Sequence, residues 1–521
     1  DNIQQIIESK SNILLIASDV GGISKLDLNK YSHPQEGAVN FEQMTKENCG
    51  LTSNNVRRVQ EDHFGNIWVA HYNSGIDFIP YQQSNFYTLR YLGQPISNIS
   101  SFYVDTKENQ MWIGQDDNIT LYASGTVQKT WNFSSSITNS SSYVYTLRSD
   151  HDGNVWVGTA DNGLLLLDRA TNTFRHIACT GALDINAIYV DQHNKVWVGT
   201  ESGIVTIYNK VATEETGITR IIGRSAIPFA INEDDHHNIW IGTLSGGIYI
   251  ISPNKKLIAH LHEGNGFPSN SVNQIYKDEE GSMWVATYKG LVYISYPENP
   301  GKYEIYNEKQ GIKESHIRSI VQDRQGNIWV SMFSGIACFD RKKKKFYNYD
   351  YQSGIPTSNF LVGTAGISYE GSLIFGSSAG ICYFNPQMLI EPKETPVVEI
   401  IDCERLESQS ADGKFINSII PTDEEGIIHL KYDENTFKIT FTSANFAEEA
   451  NVEYSYLMKG LDDKWYETEG DNEVTFRNLS PGEYTFRVRA KLKNQDWENA
   501  KVAEMKVIID PPLWLTWWAK L

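Results

Sequence analysis

Cysteine pairs and long apolar runs are both missing from this chain of 521 residues. Its five cysteines, Cys49, Cys179, Cys338, Cys382 and Cys403, are scattered and form no Cys-x-x-Cys pair. This spacing argues against a zinc-finger or disulfide framework and predicts small, buried apolar side chains. The histidine pairs His236-His237 and His260-x-His262 lack metal-ligand spacing, so we expect neither a metal ion nor a cofactor.

Basic residues are also fewer than acidic ones. The chain has 45 Lys and Arg against 64 Asp and Glu, which gives a formal net charge of −19 and an isoelectric point near 5.1. Such a balance argues against nucleic acid and against anionic membrane surfaces as partners.

A repeat dominates what is present. The pattern Asp-x-x-Gly-Asn-x-Trp-Val is clearest around Asp152 to Thr159, and its tryptophans recur at intervals of 44, 44, 41, 43, 44 and 45 residues. The Gly-Asn pair suits a turn with positive φ, and the run after it is rich in β-forming residues. A period of 40 to 45 residues predicts an all-β protein built as a β-propeller, one four-stranded blade per repeat. The tryptophans expected between blades are Trp68, Trp112, Trp156, Trp197, Trp240, Trp284 and Trp329.

The repeats divide into two groups. Leu15 and Phe375 occupy the tryptophan position of two degenerate copies, which makes nine repeats, and nine blades in one ring would be unusual. We therefore predict the last two blades of an N-terminal propeller in 1–85 and a complete seven-bladed propeller in 86–391. The strand Phe86 to Tyr91 would close that ring as the outer strand of the Phe375 blade, and about five earlier blades would lie upstream of residue 1.

The character of the chain changes after residue 391. Six short alternating segments between 427 and 509 predict an immunoglobulin-like β-sandwich over 392–510. Residues 511–521 contain Trp514, Trp517 and Trp518. These are either the end of a strand packed on the sandwich or, as we favour, an aromatic belt that precedes a membrane helix. The missing signal peptide and membrane segment would then have been removed from this chain.

Strand order decides which loops share a face of the ring. If each blade runs antiparallel from the axis outwards, its strands being A to D, the Asp-x-x-Gly-Asn turns join A to B. We interpret their carboxylates as solvated turn formers. The B–C turns and the linkers between blades lie on the opposite face, where functional loops are expected. The candidate ligand-binding residues there are Tyr72, Asp116, Asp161, Glu201, Arg224, Tyr288, Lys289, His316, Phe333 and Phe360.

Two motifs carry a resemblance to a known family. The repeats resemble those of bacterial two-component regulator propellers, and Tyr454 to Tyr466 with Asn478 to Tyr484 resembles the tyrosine-rich Y_Y_Y domain that follows them. In this combination the chain resembles the periplasmic sensor region of a Bacteroidetes hybrid two-component system. The resemblance implies a membrane-tethered histidine kinase. It also implies an oligosaccharide ligand, a homodimer formed through the sandwich domain, and control of polysaccharide-utilisation genes. No catalytic residue is implied in this region.

Two other classes of function remain open on the same fold. A sialidase or lyase would use arginines around the axis, for which Arg224 and Arg318 are the main candidates, together with a Tyr/Glu nucleophile pair. A scaffold for protein partners would need none of these residues.

Overall fold

The computed structural model describes residues 2–9, 12–28, 41–46, 51–62, 65–79, 85–91, 94–133, 142–350, 353–357, 359–390, 395–406, 417–423, 426–443, 452–468, 471–492, 495–512 and 514. These residues form two compact units. One unit joins Asp1–Gln83 to Pro392–Leu521, and the other is Ser84–Glu391. Among the described residues, no helix has both the length and the apolar character needed to span a membrane.

The N-terminal segment of the first unit forms two adjacent antiparallel sheets. The first contains β1 (Ile3–Glu8), β2 (Ile13–Ser18), β3 (Ile23–Asp27) and β4 (Glu42–Met44), and the second contains β5 (Val56–Glu61), β6 (Ile67–His71) and β7 (Ile76–Ile79). Leu15 is buried at the tryptophan position and packs with Val59 and Val69 of the second sheet. The two sheets thus stack like neighbouring blades, as the repeats predict.

The second unit is a ring of seven four-stranded sheets, counted over its described residues. A two-stranded hairpin, β9 (Arg90–Tyr91) with β10 (Gln94–Pro95), precedes the first of them. The sheets are here called blades I to VII, and each is given with its strands from the inside of the ring outwards. Blades I to III are: blade I, β11 (Ile99–Asp105), β12 (Gln110–Gln115), β13 (Asn118–Ala123) and β14 (Thr126–Asn132); blade II, β15 (Val144–Ser149), β16 (Val155–Thr159), β17 (Leu164–Asp168) and β18 (Thr173–His176); blade III, β19 (Ile185–Val190), β20 (Val196–Thr200), β21 (Gly203–Tyr208) and β22 (Val211–Glu214). Blades IV to VII are: blade IV, β23 (Pro228–Glu233), β24 (Ile239–Thr243), β25 (Ile248–Ile251) and β26 (Leu257–Leu261); blade V, β27 (Val272–Lys277), β28 (Met283–Thr287), β29 (Gly290–Ile294) and β30 (Glu304–Tyr306); blade VI, β31 (Ser319–Gln322), β32 (Ile328–Ser331), β33 (Ile336–Asp340) and β34 (Lys345–Tyr349); blade VII, β35 (Phe360–Ile367), β36 (Leu373–Ser377), β37 (Gly380–Phe384) and β8 (Phe86–Thr88).

Inner strands and a closing strand complete the ring. The first strand of each blade contacts the first strand of the next, and β11 of blade I contacts β35 of blade VII. The predicted closing strand is confirmed over Phe86–Thr88, because β8 pairs antiparallel with β37 in the register Phe86 to Phe384. The described residues of this unit contain two short helices, α1 (Thr216–Ile222) and α2 (Gln387–Ile390), and 3₁₀ turns at Ala178–Thr180, Glu263–Asn265 and Glu308–Gln310.

The aspartates of the A–B turns correct one prediction. They are turn formers, but four of them, Asp191, Asp234, Asp278 and Asp323, are buried rather than solvated, while Asp62, Asp105 and Asp150 are partly exposed. In blade IV, Asp234 Oδ1 accepts the backbone N–H of His236 and of Asn238, each at 2.9 Å. Its Oδ2 accepts the Asn238 amide at 3.0 Å and the Trp240 indole at 2.8 Å. These four donors satisfy the carboxylate, so its burial carries little penalty.

The C-terminal part of the first unit is a sandwich of two sheets. One sheet runs in the order β39 (Asn417–Ile419), β38 (Val398–Leu406), β41 (Phe437–Ser443) and β44 (Glu473–Phe476). The other runs in the order β40 (Ile428–Leu430), β46 (Val502–Ile509), β45 (Gly482–Leu492), β42 (Val452–Lys459) and β43 (Tyr466–Glu467), with a 3₁₀ turn at Trp497–Asn499. Phe437, Phe441 and Phe486 lie between the sheets and are fully buried.

Two tertiary contacts involve the turn before β45 and the C-terminal residues that follow β46. The Tyr484 hydroxyl donates to the Ser480 carbonyl at 2.8 Å, and this bond ties the turn to the start of β45. Trp514 of the predicted juxtamembrane tail is exposed, and its ring meets the edge of Tyr432 at 5.3 Å. Trp517 and Trp518 lie outside the described residues.

Candidate functional site

The B–C turns and the linkers between blades emerge on one face of the seven-bladed ring, because consecutive strands of a blade are antiparallel. We call it the loop face. Three of the predicted ligand residues gather there with one arginine. We call this group, Tyr288, His316, Arg318 and Phe333, the platform.

Loops of blades V and VI hold the platform in place. Tyr288 sits in the turn between β28 and β29, where the Thr287 hydroxyl donates to the Gly290 carbonyl at 2.7 Å. The rings of Tyr288 and His316 are 4.1 Å apart, and the Arg318 guanidinium lies 5.0 Å from the centre of the Phe333 ring. Tyr288 and Phe333 are 57% and 50% exposed, so two aromatic rings face solvent beside a cation.

Both hydrogen-bond acceptors that the Arg318 guanidinium meets in the described part of the chain are neutral. Its Nη1 donates to the Phe360 carbonyl at 2.5 Å and to Asn359 Oδ1 at 3.4 Å. Burial lowers the pKa of Arg318, partly offset by Glu314 and Tyr288. Burial and the Arg318 charge also lower the pKa of His316, against the opposing effect of Glu314. His316 is therefore neutral at pH 7, and Arg318 carries the positive charge of the platform.

A cleft of about 960 Å³ opens on the same face beside blade III. It is lined by Glu201 of the β20–β21 turn, by Glu214, and by Arg220 and Arg224 at the end of α1. The helix is anchored by Thr219, whose hydroxyl accepts the Ile204 N–H at 3.1 Å. Gly203 permits this approach, because a Cβ there would lie 2.4 Å from the Thr219 side chain. The predicted residues Glu201 and Arg224 thus share one concave site.

Cys179 also lines this cleft and is exposed, so the prediction of buried cysteines was wrong at this position. The reason is that it lies in a 3₁₀ turn of a linker rather than in a strand. Cys338, Cys382 and Cys403 are buried as expected, and Cys49 lies outside the described residues.

The other predicted ligand-binding residues lie outside both the platform and the cleft. Lys289 forms an ion pair with Glu263 at 2.9 Å. Asp116 and Asp161 are exposed on turns of blades I and II. Tyr72 lies in the first unit, and the Arg57 guanidinium is 5.7 Å from the centre of its ring. Phe360 requires a correction, because it is fully buried against Phe375 and cannot contact a surface ligand. It is the first residue of the inner strand β35, where an apolar side chain turns into the core.

The comparisons with known proteins agree with this architecture. The model of the two component regulator propeller matches residues 50–73, 139–161, 266–289 and 311–334, and the Y_Y_Y domain model matches 445–510. A solved extracellular domain, assigned to a hybrid two component system of B. thetaiotaomicron, is 31% identical. The match covers 98% of this chain and 68% of that one, with a TM-score of 0.84.

The chain belongs to this family of hybrid two-component extracellular domains. A second such domain from B. thetaiotaomicron, 18% identical with a TM-score of 0.50 over 100% of this chain and 69% of its own, supports the fold alone. Histidine kinase P4 of Formosa agariphila is 24% identical over 437 residues, which are 79% of this chain. The chain spans only 28% of the length of that curated relative.

Sequence reasoning left one residue out of the ligand set of this two-component extracellular domain. In the sequence analysis Arg318 is a candidate only for the sialidase alternative, although it lies two residues after His316 in the same linker. The structure places Arg318 on the platform and Arg224 in the cleft, each with different neighbours. Among the described residues, no group of three or more His, Cys, Asp or Glu side chains is placed to hold a metal ion.

Proposed function

We propose that this chain is the periplasmic ligand-sensing region of a hybrid two-component histidine kinase, that its ligand is an oligosaccharide, and that binding controls polysaccharide-utilisation genes. Family membership supports the role in signalling. The observation that carries the choice of ligand is the platform, where two half-exposed aromatic rings flank polar groups on the loop face.

The platform has the chemistry that sugar binding requires. The C–H faces of a pyranose are apolar and lie against aromatic rings such as Tyr288 and Phe333, while its hydroxyls exchange hydrogen bonds with polar side chains. A neutral imidazole at His316 offers both a donor and an acceptor. Rings held by short turns lose little conformational entropy when they bind, which favours affinity.

Signalling would follow from a difference in affinity between two conformations. A ligand shifts an equilibrium only as far as it binds one state more tightly than the other. In our proposal, the sandwich domain forms the homodimer and passes the change to a membrane tether that follows Leu521. The kinase output would then respond to occupancy of the loop face.

Calorimetry against a panel of oligosaccharides from dietary and host glycans tests the proposal. We expect binding to the wild-type chain, and a loss of affinity of about tenfold or more in Tyr288→Ala and in Phe333→Ala, since each removes one stacking surface. Tyr369→Ala is the matched control, because Tyr369 is 63% exposed in a turn of the opposite face, between β35 and β36.

Either of two results would contradict the proposal. One is that no oligosaccharide binds the chain. The other is that a sugar binds with an affinity that both platform variants leave unchanged.

A further inference from the structure

Among the described residues, Arg318 has no anionic partner within ion-pair distance. Its Nε is buried and makes no hydrogen bond. Its Nη1 reaches a carbonyl and an amide oxygen, and no carboxylate of the described residues lies within ion-pair distance. Nη2 makes no hydrogen bond with a described residue and is not among the buried atoms that lack one, so it reaches solvent.

Glu314, the acidic residue of the same linker, uses its carboxylate oxygens in hydrogen bonds to another turn. Glu314 accepts the backbone N–H of Phe333 at 3.0 Å and of Ser334 at 3.2 Å, and it also accepts the Ser334 hydroxyl. These three bonds fix the β32–β33 turn and direct the Glu314 oxygens to that turn. A half-buried guanidinium has lost part of its hydration, and without an ion pair its two neutral acceptors and the charge of Glu314 offset that loss only in part.

Other charges on the platform do not change this conclusion. His316 is neutral at pH 7, and Lys289 is already paired with Glu263. Phe333, whose ring centre lies 5.0 Å from the guanidinium, and Tyr288, whose ring packs on His316, add two exposed aromatic rings to the same platform. A planar guanidinium with a free Nη2 suits an anionic group, and the exposed aromatic rings of the platform suit the sugar that carries it.

We propose that the platform recognises an acidic oligosaccharide, with Arg318 pairing with a carboxylate or sulfate group of the sugar while a ring of the same sugar stacks on Tyr288 or Phe333. This inference rests on the proposed function and narrows its ligand class. The remaining groups then have roles: Glu314 shapes the turn that presents Phe333, and Asn359 orients the guanidinium from behind.

Matched sugars test the charge directly. Tetragalacturonate and its fully methyl-esterified form have the same rings, but only the first carries carboxylates. Sulfated and desulfated tetrasaccharides of keratan sulfate, whose galactose and N-acetylglucosamine units carry no carboxylate, form the second arm, which separates sulfate from carboxylate. By calorimetry at low salt, we expect at least one acidic member to bind about tenfold or more tightly than its neutral counterpart, with an affinity that falls as salt rises.

Variants of Arg318 test whether this residue causes the preference for the acidic sugar. Arg318→Gln should abolish the preference for the acidic sugar, and Arg318→Lys should retain part of it, because an ammonium keeps the charge but loses the planar fork. Arg324→Gln is the control, since Arg324 is an exposed arginine of the same blade in an A–B turn. If the glutamine variant fails to fold, the sugar pairs on the wild-type chain decide the question.

The dependence on pH adds a second readout. The groups that face His316 are Tyr288, Arg318 and Glu314. Protonation of His316 below pH 6.5 adds a positive charge to the platform, so the affinity for the acidic sugar should rise there. His316→Gln should remove that rise.

The inference is overturned if neutral sugars bind as tightly as acidic ones, or if Arg318→Gln folds and keeps the preference for the acidic sugar. Neutral sugars that bind through the aromatic rings alone would leave the proposed function intact. A chain that binds no member of either arm or of the neutral panel would contradict the proposed function itself.

Discussion

A hydrogen bond between an aspartate carboxylate and an indole is the smallest structural unit that recurs in blades II to VI and in the second N-terminal sheet. The distance between the Trp Nε1 and the Asp Oδ2 is 2.8 to 3.1 Å in blades II to VI and in the second N-terminal sheet. The same carboxylate accepts the backbone N–H groups of the A–B turn. One side chain thus fixes both the turn and the rotamer of the largest core residue.

Asp234→Ala should lower the free energy of unfolding by about 2–4 kcal/mol, because it leaves the buried Trp240 N–H and the turn amides without an acceptor. Chemical denaturation followed by tryptophan fluorescence measures this loss. Asp235→Ala is the matched control, because the neighbouring Asp235 side chain is 63% exposed and forms a surface ion pair with Lys277. A surface pair contributes about 1 kcal/mol or less, and equal losses in both variants would contradict the role of Asp234.

His316 should titrate below its ordinary pKa of about 6.5. Burial and the Arg318 charge both disfavour the protonated ring. Because the unfolded chain then takes up this proton more readily than the folded one, stability should fall as the pH drops below 6.5. An NMR titration of the imidazole measures the pKa, and Arg318→Gln should raise it. A pKa at or above 6.5 in the wild-type chain would contradict the placement of this ring beside the guanidinium.

At the scale of elements, the ring of the second unit is closed by one short strand. Residues Phe86–Thr88 pair with β37, almost 300 residues later in the chain, and Phe86 packs against Phe384 and Tyr349. Without β8 the last blade would have an unpaired outer edge and an exposed aromatic core.

Phe86→Ala should destabilise the ring by about 3–5 kcal/mol, the usual cost of removing a buried phenylalanine side chain. Tyr87→Ala, in the same strand, removes a half-exposed ring that contacts only Tyr383 among the described aromatic residues, and should cost about 1 kcal/mol. Urea denaturation of the two variants compares them. A smaller loss in Phe86→Ala than in Tyr87→Ala would mean that β8 does not close the core.

At the scale of the whole molecule, ligand binding should stabilise one unit selectively. A ligand that binds only the folded state, at 100 times its Kd, adds about 2.7 kcal/mol to the stability of that state. We expect this gain in the unit Ser84–Glu391, which contains the platform. Hydrogen exchange with and without a bound oligosaccharide locates the protection, and protection confined to the sandwich domain would contradict this placement.

Part of the site could be predicted from the sequence, and part could not. The position of Tyr288, His316 and Phe333 in B–C turns and linkers followed from strand order alone, and the structure brings these three together. Phe360 occupies an equivalent sequence position but is buried, because the core of blade VII takes up the first residue of β35. Arg318 could not be selected, since the lack of an anionic partner becomes visible only when Glu314 is seen bonded to the next turn.

The sequence by itself determined the number of repeats, their boundaries and the strand order within each. These features depend on a period of about 44 residues and on local turn chemistry, which adjacent residues encode. The tertiary structure alone decided which carboxylates are buried, which aromatic rings remain at the surface, and which loops meet. Those outcomes depend on how neighbouring blades pack, where residues from different repeats, far apart in the chain, share the same interior space.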